Sequence, residues 1–206
     1  PAQMPRFRPQ ELELYVESQS DEAGTKAYLT QRRHNRLREM WCAGRFSRGY
    51  ERHLGECSVD IEDADEQREY DFHLIVGSSR LPFQVTEVLD SGRRRGQDYR
   101  DFTEDEVADR LNLVPKGNST YAATRVREEL QSKIDKQYAG ASSLHMLLYL
   151  NLNASSVPWA SLAEPAAAEA QTFASVWLVT QHLFCCLHGG KQWFGLAGWF
   201  AIDSAG

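Results

Sequence analysis

Lysine is scarce in this chain. Only five of the 23 basic residues are lysines (Lys26, Lys116, Lys133, Lys136 and Lys191), against 18 arginines. The skew favours the planar guanidinium fork, which matches phosphate and carboxylate, over the point charge of an ammonium; codon bias would give the same skew. Cysteine is scarce too. Cys42, Cys57, Cys185 and Cys186 include one adjacent pair and no CxxC spacing, so neither a disulfide framework nor a zinc cluster is encoded, and a reducing, cytoplasmic setting is expected. No run of about 18 apolar residues occurs, and Pro1 to Gln10 lacks the apolar centre of a signal peptide, so no membrane partner is expected. An excess of positive charge is also missing: 29 acidic residues leave a formal charge of −6. That excludes the indiscriminate coating of polyanions by a strongly basic surface and confines nucleic-acid contact to local patches.

What remains is 206 residues, 42% hydrophobic and 25% charged, enough for one full core and read as a single domain over 1–206. Charge is laid out in blocks. Gln31 to Arg52 holds seven arginines against Glu39 and Glu51, Glu56 to Asp71 holds eight acids against Arg68, and Gln97 to Asp109 holds six acids against Arg100. Residues 141–206 carry only Glu164, Glu169, Lys191 and Asp203 as charged groups, so that third must be buried or must cover something.

Periodicity predicts an amphipathic helix over Thr30 to Leu54, ended by Gly55. Short strands are predicted at Cys57 to Ile61, Asp71 to Val76 and Phe83 to Leu89, the last two joined by a hairpin through Gly77 to Pro82 and therefore antiparallel. The stretch from Arg93 to Asn118 reads as loop with one short helix. A helix follows over Thr120 to Tyr138, then a nearly continuous apolar strand at Leu144 to Leu152, as a strand covered on both faces must be. Pro165 to Val179 reads as a second core helix, with His182 to His188 and Trp193 to Phe200 as two further strands. The sum is α/β with a mixed central sheet.

The order helix, three strands, helix, strand, with Asp71 opening the second strand and Gln84-Val85-Thr86-Glu87 thirteen positions later on the third, resembles the PD-(D/E)XK nuclease superfamily over roughly Gln31 to Leu152. Gln84-Val85-Thr86-Glu87-Val88-Leu89 followed by Gly92-Arg93-Arg94 is also similar to a poorly characterised bacterial group in that superfamily. The resemblance implies an αβββαβ restriction-endonuclease-like core and hydrolysis of DNA phosphodiesters at Mg²⁺ or Mn²⁺. Such a cation lets two carboxylates stand close together, polarises a phosphoryl oxygen and acidifies a bound water.

The superfamily places an acid and a lysine where this chain has Gln84 and Thr86. Gln84 offers a carbonyl oxygen without charge, and Thr86 cannot stabilise an anion as an ammonium does, so weak metal binding is expected. Asp71 is then the principal metal ligand, with Gln84 in support. Glu87, brought round by a bulge, or Glu39 on the first helix would supply a second carboxylate, and Lys133 or Lys136 would replace the missing ammonium. Phosphates would be gripped by Arg93, Arg94 and Arg95, with Arg45 and Arg48 lining the groove. Each residue has a plainer alternative. Asp71 can be a turn or cap residue, Glu87 can pair with Arg93, Arg94 or Arg125, and Glu39 with neighbouring arginines. Lys133 and Lys136 can form a solvated helix face, and the arginine triplet can neutralise the acidic blocks. A protein of this fold that binds nucleic acid or a protein partner without cleaving stays open, as does a homodimer through the aromatic C-terminal third (Trp159, Phe173, Trp177, Phe184, Trp193, Phe194, Trp199 and Phe200).

Overall fold

The computed structural model describes residues 6–61, 70–89, 99–111, 119–138, 140–151, 157–189 and 197–203. In chain order the elements are β1 (Arg6–Phe7), α1 (Pro9–Ala23), α2 (Thr25–Thr30), α3 (Asn35–His53), β2 (Ser58–Ile61), β3 (Phe72–Val76), β4 (Ser79–Leu89), α4 (Glu104–Leu111), α5 (Ser119–Ile134), β5 (His145–Asn151), α6 (Ala160–Ala163), α7 (Ala167–Ala170), β6 (Ser175–Val179), β7 (Leu183–His188) and β8 (Phe200–Ala201). The described strands form one sheet in the order of the chain. The first four pair antiparallel, β4, β5 and β6 run parallel, and the last pairs are antiparallel again. The fold is α/β with a mixed sheet.

The two parallel connections advance in the same direction across the sheet, so a common right-handed crossover puts their helices on one face. That face holds Met146 and Leu148 of β5 and Val176 and Leu178 of β6, packed on Ala122, Val126 and Leu130 of α5 and on Leu162 and Ala170 of the two short helices. The opposite face is left to the N-terminal helices. There Leu147, Trp177, Phe83 and Phe184 pack on Phe46 of α3, with Leu12 and Val16 of α1 beside them. Phe46 lies 5.1 Å from the Phe83 ring and 5.2 Å from Trp177. Cys185 and Cys186 fall into opposite cores, as strand alternation requires, and all four thiols are free.

The hairpin between β3 and β4 is tighter than the predicted connection. Val76 pairs with Ser79, and Gly77 takes the left-handed conformation (φ 56°) that such a two-residue turn uses. The helix predicted over Pro165 to Val179 is a misreading. Within it only the single turn of α7 (Ala167–Ala170) is helical, α6 lying before Pro165, and Ser175–Val179 is a fully buried strand, because Val-Trp-Leu-Val flanked by two strands can bury both faces only in the sheet. Helices α1 and α2 precede the region where the first helix was predicted. Of the strand predicted at Trp193 to Phe200, residues 193–196 lie outside the described residues, and Phe200 opens β8. The described aromatic residues of the C-terminal third belong to the two cores: Phe173, Trp177 and Phe184 are buried, and Trp159, Trp199 and Phe200 pack against them. Trp193 and Phe194 lie outside the described residues.

Helix α3 approaches the sheet closely at Gly49. A methyl group there would stand 2.6 Å from the Phe184 ring. That ring is fully buried and stacked 6.2 Å from Trp177, so it cannot swing away. Gly49→Ala is therefore expected to destabilise the protein by about 1–3 kcal/mol, despite alanine's better helix propensity. Urea denaturation checks this; an unchanged or higher midpoint contradicts the packing described.

Candidate functional site

Strand β3 starts one residue after Asp71, and β4 runs on past that point beside β5. The backbone of Asp71 still closes the ladder, its N–H donating to the Phe83 carbonyl at 2.7 Å. The next donor on β4, the Val85 N–H, has no strand opposite it among the described residues. The Asp71 carboxylate takes that place: Oδ2 accepts from the Val85 N–H at 2.7 Å and from Gln84 Nε2 at 2.6 Å. Asp71 Oδ1 and Gln84 Oε1 accept no hydrogen bond from the described residues. Burial raises the Asp71 carboxyl above the ordinary aspartate range, opposed chiefly by the Val85 N–H, then by the charges of Arg36 and Lys133 and by the Gln84 amide.

Gln84 and Thr86 share the α5 face of β4 with Val88. On that side α5 contributes Lys133, which is only 8% exposed and makes no ion pair with the described residues. Burial lowers its ammonium below the ordinary lysine range, helped by Lys136, while Asp71, Glu129 and Glu39 draw it back up. Glu39, three residues along α3 from Arg36, pairs with that arginine at 3.4 Å. The sequence brings Asp71, Gln84, Lys133 and Glu39 into one electrostatic neighbourhood. Arg36 belongs to it and was missed, although its spacing from Glu39 puts the two on one helix face.

Other candidates stand elsewhere. Glu87 is three residues beyond Gln84 and so on the opposite face. No bulge brings it round, because β4 pairs with β5 in unbroken register from Phe83 to Leu89. It accepts from Asn151 Nδ2 at 2.7 Å, while Arg125 holds the Leu89 carbonyl and Glu128 and Glu129. Arg45 is locked inside the fold by Glu13 (2.8 Å), Asp203 (2.5 Å) and the Gln181 carbonyl. Arg48 pairs with Glu13 at 3.4 Å and Glu51 at 3.7 Å. These guanidinium groups are engaged by carboxylates where phosphate contact was expected. Arg93, Arg94 and Arg95 lie outside the described residues. His73 is buried against Tyr70, ring centres 4.4 Å apart, as a packing residue.

Among the described residues no group of three or more His, Cys, Asp or Glu side chains is disposed to hold a metal ion. Asp71 and Gln84 offer oxygen donors of the kind that Mg²⁺ and Mn²⁺ take, but one formal charge between them. Residues 13–192 match a protein-family model described as "Putative endonuclease, protein of unknown function (DUF1780)". The chain belongs to this family. No curated protein matches it. One solved structure that resembles it is a protein of unknown function from Pseudomonas aeruginosa strain PAO1, described as a member of the monooxygenase superfamily. The two share 14% identity over 96% of this chain and 97% of that one, with a TM-score of 0.48. No helix among the described residues is long and apolar enough to cross a membrane.

The Asp71 carboxylate has a structural duty whatever else it does. Asp71→Ala leaves the Val85 N–H and the Gln84 amide without their acceptor and should cost about 1–3 kcal/mol, whereas Asp71→Asn keeps an acceptor and should cost less. Both variants also lose a pH response that wild type has. The raised carboxyl holds its proton in the folded chain where the unfolded chain has lost it, so its stabilising share is full at acid pH and fades as pH rises through the folded-state pKa. Asp71→Asn carries no such proton, and its stability relative to wild type should improve between acid and neutral pH. Urea denaturation across that range is the check, a flat difference being the contrary result.

Proposed function

We propose that this protein is a divalent-metal-dependent endonuclease of DNA whose active centre is Asp71, Gln84 and Lys133. The observation that carries the reading is the hydrogen bond between Asp71, at the mouth of β3, and Gln84 on β4, with a buried lysine on α5 that feels the Asp71 charge and makes no ion pair with the described residues. The family's description as endonuclease is consistent with it. The resemblance to the PD-(D/E)XK plan supplies the role of each position, with the lysine moved from the strand to the helix.

Asp71 Oδ1 and Gln84 Oε1 would hold Mg²⁺ or Mn²⁺, weakly, with water completing the shell. When bound, the cation polarises a phosphoryl oxygen and lowers the pKa of a coordinated water. The chain's own residues do the rest. Lys133, poorly solvated and close to Asp71, stabilises the charge that develops on the phosphate, and Arg36 anchors a neighbouring phosphate oxygen. Glu39 pairs with Arg36 and holds its guanidinium in place. Burial of Lys133 strengthens each of these interactions relative to water.

A second reading has one observation in its favour. The Gln84 amide turns its nitrogen to Asp71, an arrangement complete without a cation, and Thr86 supplies no ammonium. On that reading the protein binds nucleic acid without cutting it.

Calorimetry with Mn²⁺ and a supercoiled-plasmid assay separate the two. If the site is a nuclease, wild type binds Mn²⁺ weakly and nicks plasmid, Asp71→Asn does neither, and Gln84→Glu binds about an order of magnitude more tightly through its added charge. Lys133→Met keeps the metal isotherm and loses nicking. Isotherms that Asp71→Asn leaves unchanged, with no nicking by wild type or Gln84→Glu, decide for the second reading.

A further inference from the structure

A cavity of about 590 Å³ opens on the other side of β4, at the carboxyl ends of the three parallel strands. Glu87 of β4, Tyr149 and Asn151 of β5 and Gln181 after β6 reach it from the sheet. In open α/β sheets this end is where ligands sit, and the volume is that of a small-molecule site. Helices α1 and α3 form the opposite wall.

The charges in that wall are not equivalent. Arg45 is held by Glu13, Asp203 and the Gln181 carbonyl. Arg38, buried, gives its guanidinium to the Tyr28 carbonyl and to Asn35 Oδ1. Both cations of the wall are therefore turned to acceptors of the protein itself. Glu17 and Asp21, four residues apart on one face of α1, line the cavity with carboxylates that make no ion pair or side-chain hydrogen bond with the described residues. Between these acids and the sheet stand Trp41 and Tyr149, edge to face at 5.1 Å, with Tyr28 and Tyr99 nearby. Tyr149 lines the cavity, its hydroxyl makes no hydrogen bond with the described residues, and burial holds it well above the ordinary phenol range. A phenol in that state stays neutral and offers its oxygen as an acceptor.

We propose that this cavity binds a planar organic cation, an amidinium or guanidinium group, beside the Trp41 and Tyr149 rings, with its N–H groups directed to the Tyr149 oxygen and to Glu17 and Asp21. The rings supply cation–π attraction, and the acids at the rim attract the same charge and repel phosphate-bearing ligands. The site lies across β4 from Asp71 and does not depend on its chemistry.

Benzamidine is the probe, with benzamide as its neutral isostere and guanosine as a neutral planar base. Calorimetry on the full chain, followed in parallel by tryptophan fluorescence, should show saturable benzamidine binding at least tenfold tighter than benzamide or guanosine. The double variant Glu17→Gln, Asp21→Asn, at exposed helix positions that leave the fold intact, should weaken benzamidine several-fold and leave benzamide unchanged. Tyr149→Phe should weaken it as well. Equal binding of benzamide, tighter binding of guanosine, or no effect of the double variant overturns the proposal; tighter guanosine would assign the cavity to a nucleobase instead.

Discussion

The handedness of the two parallel crossovers governs this molecule. Because β4, β5 and β6 advance in one direction, α5 and the two short helices after β5 are confined to one face of the sheet. A parallel strand such as β5, apolar on both sides, cannot leave its other face to water. The chain must therefore bring helices from outside the parallel unit, and α1 and α3 do that, with Phe46 seated among Phe83, Trp177 and Phe184. The close approach at Gly49 follows from the same requirement.

The same requirement sets where polar groups can gather. They collect where cover or pairing runs out. One such place is the start of β3, where the Asp71 carboxylate holds the backbone of β4. Another is the carboxyl end of the parallel unit, where the strands stop and a cavity opens between the sheet and helices α1 and α3. Strand β4 serves both, because its alternate residues face opposite layers: Gln84 towards α5, Glu87 towards α3. Charge behaves differently in the two. Near Asp71, acids and bases offset each other across short distances, whereas in the cavity wall the arginines are turned inwards and acidic groups face outwards.

Much of the first two-thirds was legible in the sequence because its signals are local. The apolar stripe of α3, the hairpin around Gly77 and the unbroken apolar run of β5 each declare themselves within a window of a few residues. Asp71 and Gln84 could be paired on paper only through the resemblance to the nuclease plan, because the loop predicted from Gly77 to Pro82 is longer than the two-residue turn that sets their register. Glu87 was harder, since only the unbroken pairing of β4 with β5 shows that no bulge turns it towards Asp71. Ser175–Val179 was misread because a short run of buried apolar residues carries no period of its own, and its neighbours decide whether it is helix or strand. The pairing of Arg45 with Asp203 and the wall of the cavity join residues far apart in the chain, and no spacing announces them.

The order of the strands has one more consequence. Each described strand lies beside the one made just before it, so a chain emerging amino end first from a ribosome never leaves a strand waiting for a partner not yet synthesised, nor must any be threaded between two already joined. The sheet can grow at a single edge, the one that the next strand will cover.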